Sequence, residues 1–226
     1  MRAKLLRFPP TAFMFLLSLT VAAPAAAATV KLPVPSLTGR SSVEASLQAR
    51  RSIRSFESVP MSLADFGELL WAAQGVTTPE GKRTAPSAGA TYPLEVYAVA
   101  LDVRDLEPGV YHYRPRTHEI ERVAAGNRRA QIVEAARGQQ SIAQAPAVFV
   151  ISAAIGRTAA KYGARAERYA WIEAGAAAEN LALEAVALNL GTCFVGAFDE
   201  AAIRGVVGLP ATESPIIVLP AGRPRR

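Results

Sequence analysis

The segment from Ala166 to Leu190 constrains the fold more than any other part of the chain. Ala, Gly and Leu occur on every side of it, and its apolar positions recur at helical spacing. The polar residues Glu173, Asn180 and Glu184 lie seven and four positions apart, so they share one face of a helix. A single polar stripe argues against a membrane span. We therefore predict a long helix that is buried in a core or in a subunit interface.

The other periodic segments predict an α+β fold with an antiparallel or mixed central sheet flanked by helices. Helices are predicted at 42–50, 61–75 and 199–207, and strands at 94–101, 110–113, 119–123, 145–153 and 215–221. Ser62 is the expected N-cap of the second helix, and Asp65 completes an acidic capping box. The continuous apolar run 145–153 predicts a buried central strand. Residues 77–92 have no periodic pattern and predict a binding loop.

The first 28 residues have the features of an export signal. Three basic residues near the start precede an apolar stretch that ends at Val21, and an alanine run follows Pro24. We predict that 1–28 is a cleaved signal peptide and that the protein is exported to the periplasm. The alternative is an uncleaved membrane anchor.

Residues 29–40 are rich in proline and predict an irregular arm that lies over another surface. The remaining residues, 41–226, have the length of one domain and enough Ala, Val and Leu for a sizeable core. The formal net charge is +6 for the whole chain and +3 without 1–28. This mild basic excess has no dense Lys/Arg run interleaved with aromatics, so it gives no support to nucleic-acid binding.

Cysteine and histidine are too few for several kinds of site. Cys193 is the only cysteine, which excludes an internal disulfide and a cysteine metal cage. Because it lies in a small apolar run, we expect a buried and unreactive thiol. His112 and His118 have too few nearby ligands for a metal, so we interpret them as residues on the surface of strands.

The run Arg50-Arg51-Ser52-Ile53-Arg54 has the composition of a phosphate site. Planar guanidinium groups can fork onto phosphate oxygens, and a serine hydroxyl can fill a remaining position. Arg50 and Arg54 would share a face if the turn stayed helical. The alternative is that these cations only complement the dipole at the end of a solvent-exposed helix.

Three further stretches are candidates for binding or chemistry. The small residues of Pro86-Ser87-Ala88-Gly89 and the glycine of Val195-Gly196-Ala197 would let a backbone approach a flat ligand, whose polar edge the amides could bind. The alternatives are a plain surface loop and a tight helix-to-strand connection. Lys161-Tyr162 could donate or accept protons. Its alternative is two exposed polar residues in a loop.

Taken in order, these stretches resemble the nitroreductase superfamily, and within it the SagB-type dehydrogenases (thiazole/oxazole-forming oxidases). The resemblance runs from about Arg50 to Arg223. The stretches that carry it are RRSIRSF at 50–56, PSAGATYPLEVY at 86–97, GVYHY at 109–113, KYGARAERY at 161–169, EAG at 173–175 with NL at 180–181, and GTC at 191–193.

The resemblance implies a nitroreductase-like FMN-binding fold and a role for each stretch. Arg50, Arg51, Ser52 and Arg54 would hold the FMN phosphate, and Arg223 would return to it. Pro86-Ser87-Ala88-Gly89 would line the isoalloxazine ring. Val195-Gly196-Ala197 would approach its N5 and O4 edge. Lys161 and Tyr162 match a pair that is tied to azoline oxidation in SagB-type enzymes.

The resemblance also implies a domain-swapped homodimer with two FMN sites at its interface, each built from both chains. The expected function is an FMN-dependent oxidoreductase that transfers hydride through flavin N5 to or from a small organic substrate. The alternatives are a general nitro- or quinone reductase and a non-catalytic FMN-binding module. The chain departs from the family pattern in carrying Glu179 where a glutamine is expected. The export signal is a second departure, because azole-forming enzymes work in cytoplasmic complexes.

Overall fold

A computed structural model describes residues 28–225. All but the last residue of the predicted signal peptide lie outside this range. The strands are β1 Thr29–Lys31, β2 Leu94–Ala100, β3 Gly109–Arg114, β4 Glu119–Ala125, β5 Ala147–Ala153, β6 Gly191–Thr192 and β7 Ser214–Gly222. The helices are α1 Val43–Ala49, α2 Leu63–Gln74, α3 Arg129–Ala135, α4 Gln140–Gln144, α5 Ile155–Tyr162, α6 Ala166–Ala187 and α7 Glu200–Val207.

The strands form one seven-stranded sheet in the order β1-β4-β3-β2-β5-β7-β6, and every strand pair in it is antiparallel. β5 lies between β2 and β7, and all seven of its residues are buried, which confirms the predicted central strand. Its side chains alternate between two cores: Phe149 belongs to one, and Val148 and Val150 belong to the other. An apolar layer on each face explains why Ser152 is the only polar residue of β5, and its buried hydroxyl donates to the Glu213 carboxylate at 2.7 Å.

The long helix α6 covers the first core together with α2. Its buried side chains include Ala174, Ala178 and Leu181, and Phe66 of α2 packs against Phe149 with ring centroids 5.4 Å apart. The small alanine side chains allow close packing on the sheet. The second core is closed by side chains from α3, α4 and α7, namely Ile132, Ile142 and Ile203. The predicted long helix is therefore confirmed, and none of the described helices is long and apolar enough to cross a membrane.

The predicted ends of α2 are also confirmed. The Ser62 hydroxyl accepts from the Asp65 amide at 3.0 Å and donates to the Asp65 carboxylate at 2.7 Å. At the other end the Gly75 amide donates to the Trp71 carbonyl at 2.6 Å. A Cβ atom at Gly75 would collide with the Trp71 ring, so a larger residue here would require that ring to move.

Several predictions of local structure are wrong. Residues 29–31 form β1 on the edge of the sheet rather than part of an irregular arm, because Val30 and its neighbours pair with β4. The rest of the arm packs on the same chain: Leu32 is buried, and the Ser36 amide donates to Glu68 at 2.7 Å. Helices α3, α4 and α5 were not predicted, and α5 contains Lys161 and Tyr162, which the alternative interpretation placed in a loop.

His112 is not a surface residue. It is 7% exposed, stacks on Tyr97 with a centroid distance of 4.3 Å, and lies 2.8 Å from the Glu95 carboxylate. His118 is half-buried and bridges the Tyr113 hydroxyl and the Pro33 carbonyl. Burial lowers the pKa of His118. Both imidazoles bind polar partners within the fold. The alternation of polar and apolar residues along the strands could not predict these contacts.

Candidate functional site

The arginine cluster follows α1 in extended backbone, because that helix ends at Ala49. The condition under which Arg50 and Arg54 would share a helical face is therefore not met. The segment instead pairs with β6 and with the C-terminal residues: the Ile53 amide donates to the Thr192 carbonyl at 2.9 Å, and the Glu57 amide donates to the Arg223 carbonyl at 2.9 Å. These contacts bring the two predicted phosphate-binding segments together from opposite ends of the chain.

A cavity of about 670 Å³ opens beside this junction. The arginines that line it are Arg51 and Arg223, and Glu57 supplies one carboxylate. Thr192 also lines it, and its buried hydroxyl has no hydrogen-bond partner among residues 28–225. A Cβ atom at Gly191 would lie 2.6 Å from Ile53, so the glycine lets the arginine segment lie against the cavity wall. The other lining residues are Ala49, Ile53, Ala182, Val186, Asn189, Leu190, Gly191 and Pro224.

The arginines of the cluster differ in their surroundings. Arg51 donates to the carbonyls of Gln48 at 2.9 Å and Arg50 at 2.7 Å, so it also has the helix-end role of the alternative interpretation. Arg50 forms an ion pair with Glu179 of α6, with 3.2 Å between Nε and Oε1. Arg54 is exposed and, like Arg50 and Ser52, is not among the residues that line the cavity.

The loop that contains Pro86-Ser87-Ala88-Gly89 is held by the polar stripe of α6. The Ala88 amide donates to the Glu173 carboxylate at 2.7 Å, and the Asn180 side chain donates to the Thr84 carbonyl at 3.2 Å. Inside the loop, the Ser87 hydroxyl accepts from the Tyr92 amide at 2.8 Å. The stripe was predicted from spacing, but its partners were not, because they are 85 and 96 residues away in the chain.

Helix α5 also contacts this loop and brings Lys161 and Tyr162 to Gly89. The Lys161 ammonium lies 3.5 Å from the Gly89 carbonyl. A Cβ atom at Gly89 would lie 2.5 Å from the Tyr162 hydroxyl and 2.7 Å from the Lys161 ammonium. Gly89 has a φ of +59°, so both its backbone and its surroundings favour glycine. Neither the loop nor the Lys-Tyr pair lines the 670 Å³ cavity.

The Val195-Gly196-Ala197 stretch is partly committed to the sheet. Val195 and Val218 exchange two backbone hydrogen bonds, at 2.9 and 3.0 Å. Gly196 and Ala197 are exposed, and the Ala197 carbonyl accepts from Gln139 at 3.0 Å. The Val195 amide is thus already bonded, which leaves Gly196 and Ala197 as the candidates for contact with a ligand.

A partly buried chain of polar contacts also connects to this loop, and it was not predicted from the sequence. The Glu95 carboxylate contacts Arg157 of α5 at 2.6 Å and His112 at 2.8 Å, and Arg157 also donates to the Tyr92 carbonyl at 3.1 Å. Burial raises the pKa of Glu95, but the hydrogen bonds and charges of its two partners outweigh burial and leave it below its usual value. Charge pairing of this kind is what makes a buried carboxylate tolerable.

Cys193 is buried, as predicted, and burial raises the pKa of its thiol, which agrees with an unreactive side chain. Within residues 28–225, no group of three or more His, Cys, Asp or Glu side chains could hold a metal ion. The features that remain for chemistry are the cavity and the loop with its Lys-Tyr pair.

A model of the nitroreductase family matches residues 47–223, which include the arginine cluster, the loop, the Lys-Tyr pair and Arg223. The chain belongs to the nitroreductase family. A protein of Methanocaldococcus jannaschii that is assigned as a nitroreductase is 44% identical over 174 residues, which are 77% of this chain and 87% of that protein.

Solved structures support the same family. A chain from Ralstonia eutropha, also assigned as a nitroreductase, is 29% identical with a TM-score of 0.76, and the match covers 91% of this chain and 96% of that one. One from Anabaena variabilis is 26% identical with a TM-score of 0.78. This match covers 88% of the present chain but only 42% of the Anabaena chain. The E. coli microcin synthetase complex McbBCD contains a chain with the same fold, at 24% identity and a TM-score of 0.69, covering 80% and 73%.

Proposed function

We propose that this nitroreductase-family protein is an FMN-dependent oxidoreductase that transfers hydride to or from a small organic molecule. The observation that carries the proposal is the cavity lined by Arg51, Arg223 and Thr192, whose buried hydroxyl has no hydrogen-bond partner among residues 28–225. A phosphate monoester is nearly a dianion, and two guanidinium groups with a hydroxyl are donors that fit it. The cavity volume of about 670 Å³ also lies within the range of cofactor sites.

In this proposal, the segment Arg50-Arg51-Ser52-Ile53-Arg54 and Arg223 bind the flavin phosphate. The loop Pro86–Gly89 lies against the ring system, and the Gly196 and Ala197 amides face its polar edge. Bound FMN supplies hydride transfer at its N5 atom. The chain itself positions the ring and excludes water from it, and Lys161 or Tyr162 holds the proton that the substrate gains or loses.

We further propose a homodimer in which each flavin site draws on both chains. The phosphate cavity and the loop with its Lys-Tyr pair are separate places in one chain. Large apolar side chains are exposed on α1 at Val43 and Leu47 and on α6 at Trp171 and Ile172. A second copy would cover such a surface and could bring its own loop to the cavity.

The proposal is tested by purifying the chain without residues 1–28 and recording its absorption spectrum before and after addition of FMN. A yellow protein with a flavin spectrum is expected. Protein that stays colourless after incubation with FMN would overturn the proposal.

The substrate class is tested by turnover assays on the FMN-bound protein. A general nitro- or quinone reductase is the second candidate, favoured by the assignment of the M. jannaschii relative. It would oxidise NAD(P)H with nitroaromatics or quinones, whereas a SagB-type enzyme would oxidise azoline peptides. Bound FMN without turnover in any of these assays would instead identify a non-catalytic flavin-binding module.

We also propose that the protein is exported with its signal peptide removed. N-terminal sequencing of the mature protein from periplasmic and membrane fractions tests this. A mature start near Thr29 in the periplasmic fraction is expected, and an intact Met1 in the membrane fraction would favour the anchor.

A further inference from the structure

The ion pair between Arg50 and Glu179 places a carboxylate next to the predicted phosphate site. The Arg50 Nε atom lies 3.2 Å from Glu179 Oε1, and the two side chains are 35% and 39% exposed. Both are therefore accessible to a ligand, and their attraction is screened by water rather than locked in a core. Glu179 also stands at the position where the family resemblance leads one to expect an uncharged glutamine.

Helix α6 connects the two halves of the site through adjacent residues. Glu179 holds Arg50 of the arginine segment, and Asn180 donates to the Thr84 carbonyl at the start of the loop. The Asn180 contact is neutral and engages only a carbonyl group of the loop. The Glu179 contact occupies the guanidinium of Arg50, which belongs to the proposed phosphate segment and directly precedes the cavity-lining Arg51, so a carboxylate and a dianion compete for the same cation.

We infer that Glu179 is a specificity-determining residue that lowers the affinity of the site for phosphorylated flavin by holding Arg50. The inference rests on the proposed function. With Arg50 engaged by Glu179, the phosphate contributes less to the binding free energy of FMN. The difference in affinity between FMN and unphosphorylated riboflavin is therefore smaller than it would be with a glutamine at this position. FMN then binds reversibly from solution.

The test compares the dissociation constants of FMN and riboflavin, measured by quenching of flavin fluorescence, for the chain without residues 1–28. Glu179→Gln removes the charge and keeps the shape. We expect it to bind FMN about two- to five-fold more tightly, as befits a partly exposed ion pair, and to bind riboflavin unchanged. The gain should shrink as salt is raised. Glu134→Gln is the control, because this substitution removes the same charge at an exposed position of α3.

A second variant tests whether Arg50 carries the effect. In an Arg50→Ala background, Glu179→Gln should no longer tighten FMN binding. A gain that persists there, a gain that extends equally to riboflavin, or weaker FMN binding by Glu179→Gln would each overturn the inference while leaving flavin binding intact. If the unmodified chain binds no FMN, the proposed function itself fails, and the inference fails with it.

Discussion

Gly89 is the residue where backbone conformation and the proposed chemistry meet. Alanine at φ +59° costs about 1–2 kcal/mol from backbone strain alone, and at this position its Cβ would also press on Tyr162 and Lys161. We expect Gly89→Ala to lower the free energy of unfolding and to abolish turnover. Gly138→Ala is the matched control, because its φ is +72° and no atom lies within 4 Å of the added Cβ. Chemical denaturation of both variants gives the comparison, and equal losses would show that Gly89 has no steric role.

Lys161 allows a separate test of the proposed chemistry. Its contact with the Gly89 carbonyl is long, at 3.5 Å, and its side chain is exposed, so it adds little to stability. We therefore expect Lys161→Ala to keep the melting temperature and the bound FMN but to lose about 100-fold or more in turnover, as for removal of a general acid or base. Lys82→Ala, at an exposed lysine in the neighbouring loop, should keep full activity. Loss of FMN from Lys161→Ala would make this lysine structural.

At the residue scale, the sequence indicated which residues belong to the candidate site better than it indicated which residues they contact. It predicted an arginine cluster that could meet Arg223, and the backbone does join the two segments. It could not predict that Arg51 binds the end of α1, that Arg50 pairs with Glu179, or that the Thr192 hydroxyl is left without a partner. Each of these contacts depends on how distant segments cross, and spacing along one segment carries no such information.

At the scale of elements, the sequence predicted a helix or strand wherever the residues of that element are sufficient to determine it. Ser62 and Gly75 define α2 because a cap and a stop are local chemistry. The apolar run of β5 predicts a strand covered on both faces. The unpredicted helices α3 and α4 have only seven and five residues, so packing on the second core rather than intrinsic helix propensity must stabilise them.

The contact between α6 and the binding loop gives a prediction about an element. Glu173 is 4% exposed and accepts the Ala88 amide, so Glu173→Ala leaves a partly buried donor without its partner, at a cost near the lower end of about 1–3 kcal/mol. We expect faster hydrogen exchange at residues 84–90 than in the unmodified protein, with β5 unchanged. Glu173→Gln keeps an acceptor oxygen and should restore slow exchange in the loop. Equal hydrogen exchange in the loop of all three proteins would show that the Glu173 contact does not hold the loop.

At the scale of the whole molecule, the sequence predicted a helix that is buried in a core or an interface, and the structure separates those two surfaces. The face of α6 with Ala174 and Ala178 packs on the sheet, whereas Trp171 and Ile172 are 61% and 63% exposed. The sequence could not distinguish the two faces, because apolar residues occur all round this helix. Which face meets the sheet is decided by the position of α2 and the loop, and both are distant in sequence.

The exposed face of α6 leads to the last prediction, that the protein is a dimer through this surface. Exposed Trp and Ile side chains side by side are costly in water, and covering both with a second copy would gain a few kcal/mol per chain. We expect the unmodified chain to have the mass of a dimer in size-exclusion chromatography with light scattering.

The double variant Trp171→Glu/Ile172→Glu should be monomeric and should lose FMN, since each site would lack the partner's loop. Val123→Glu, at an exposed apolar residue of β4, should remain dimeric. A monomeric unmodified chain that still binds FMN would show that one copy builds the whole site, and a double variant that stays dimeric would move the interface to another surface.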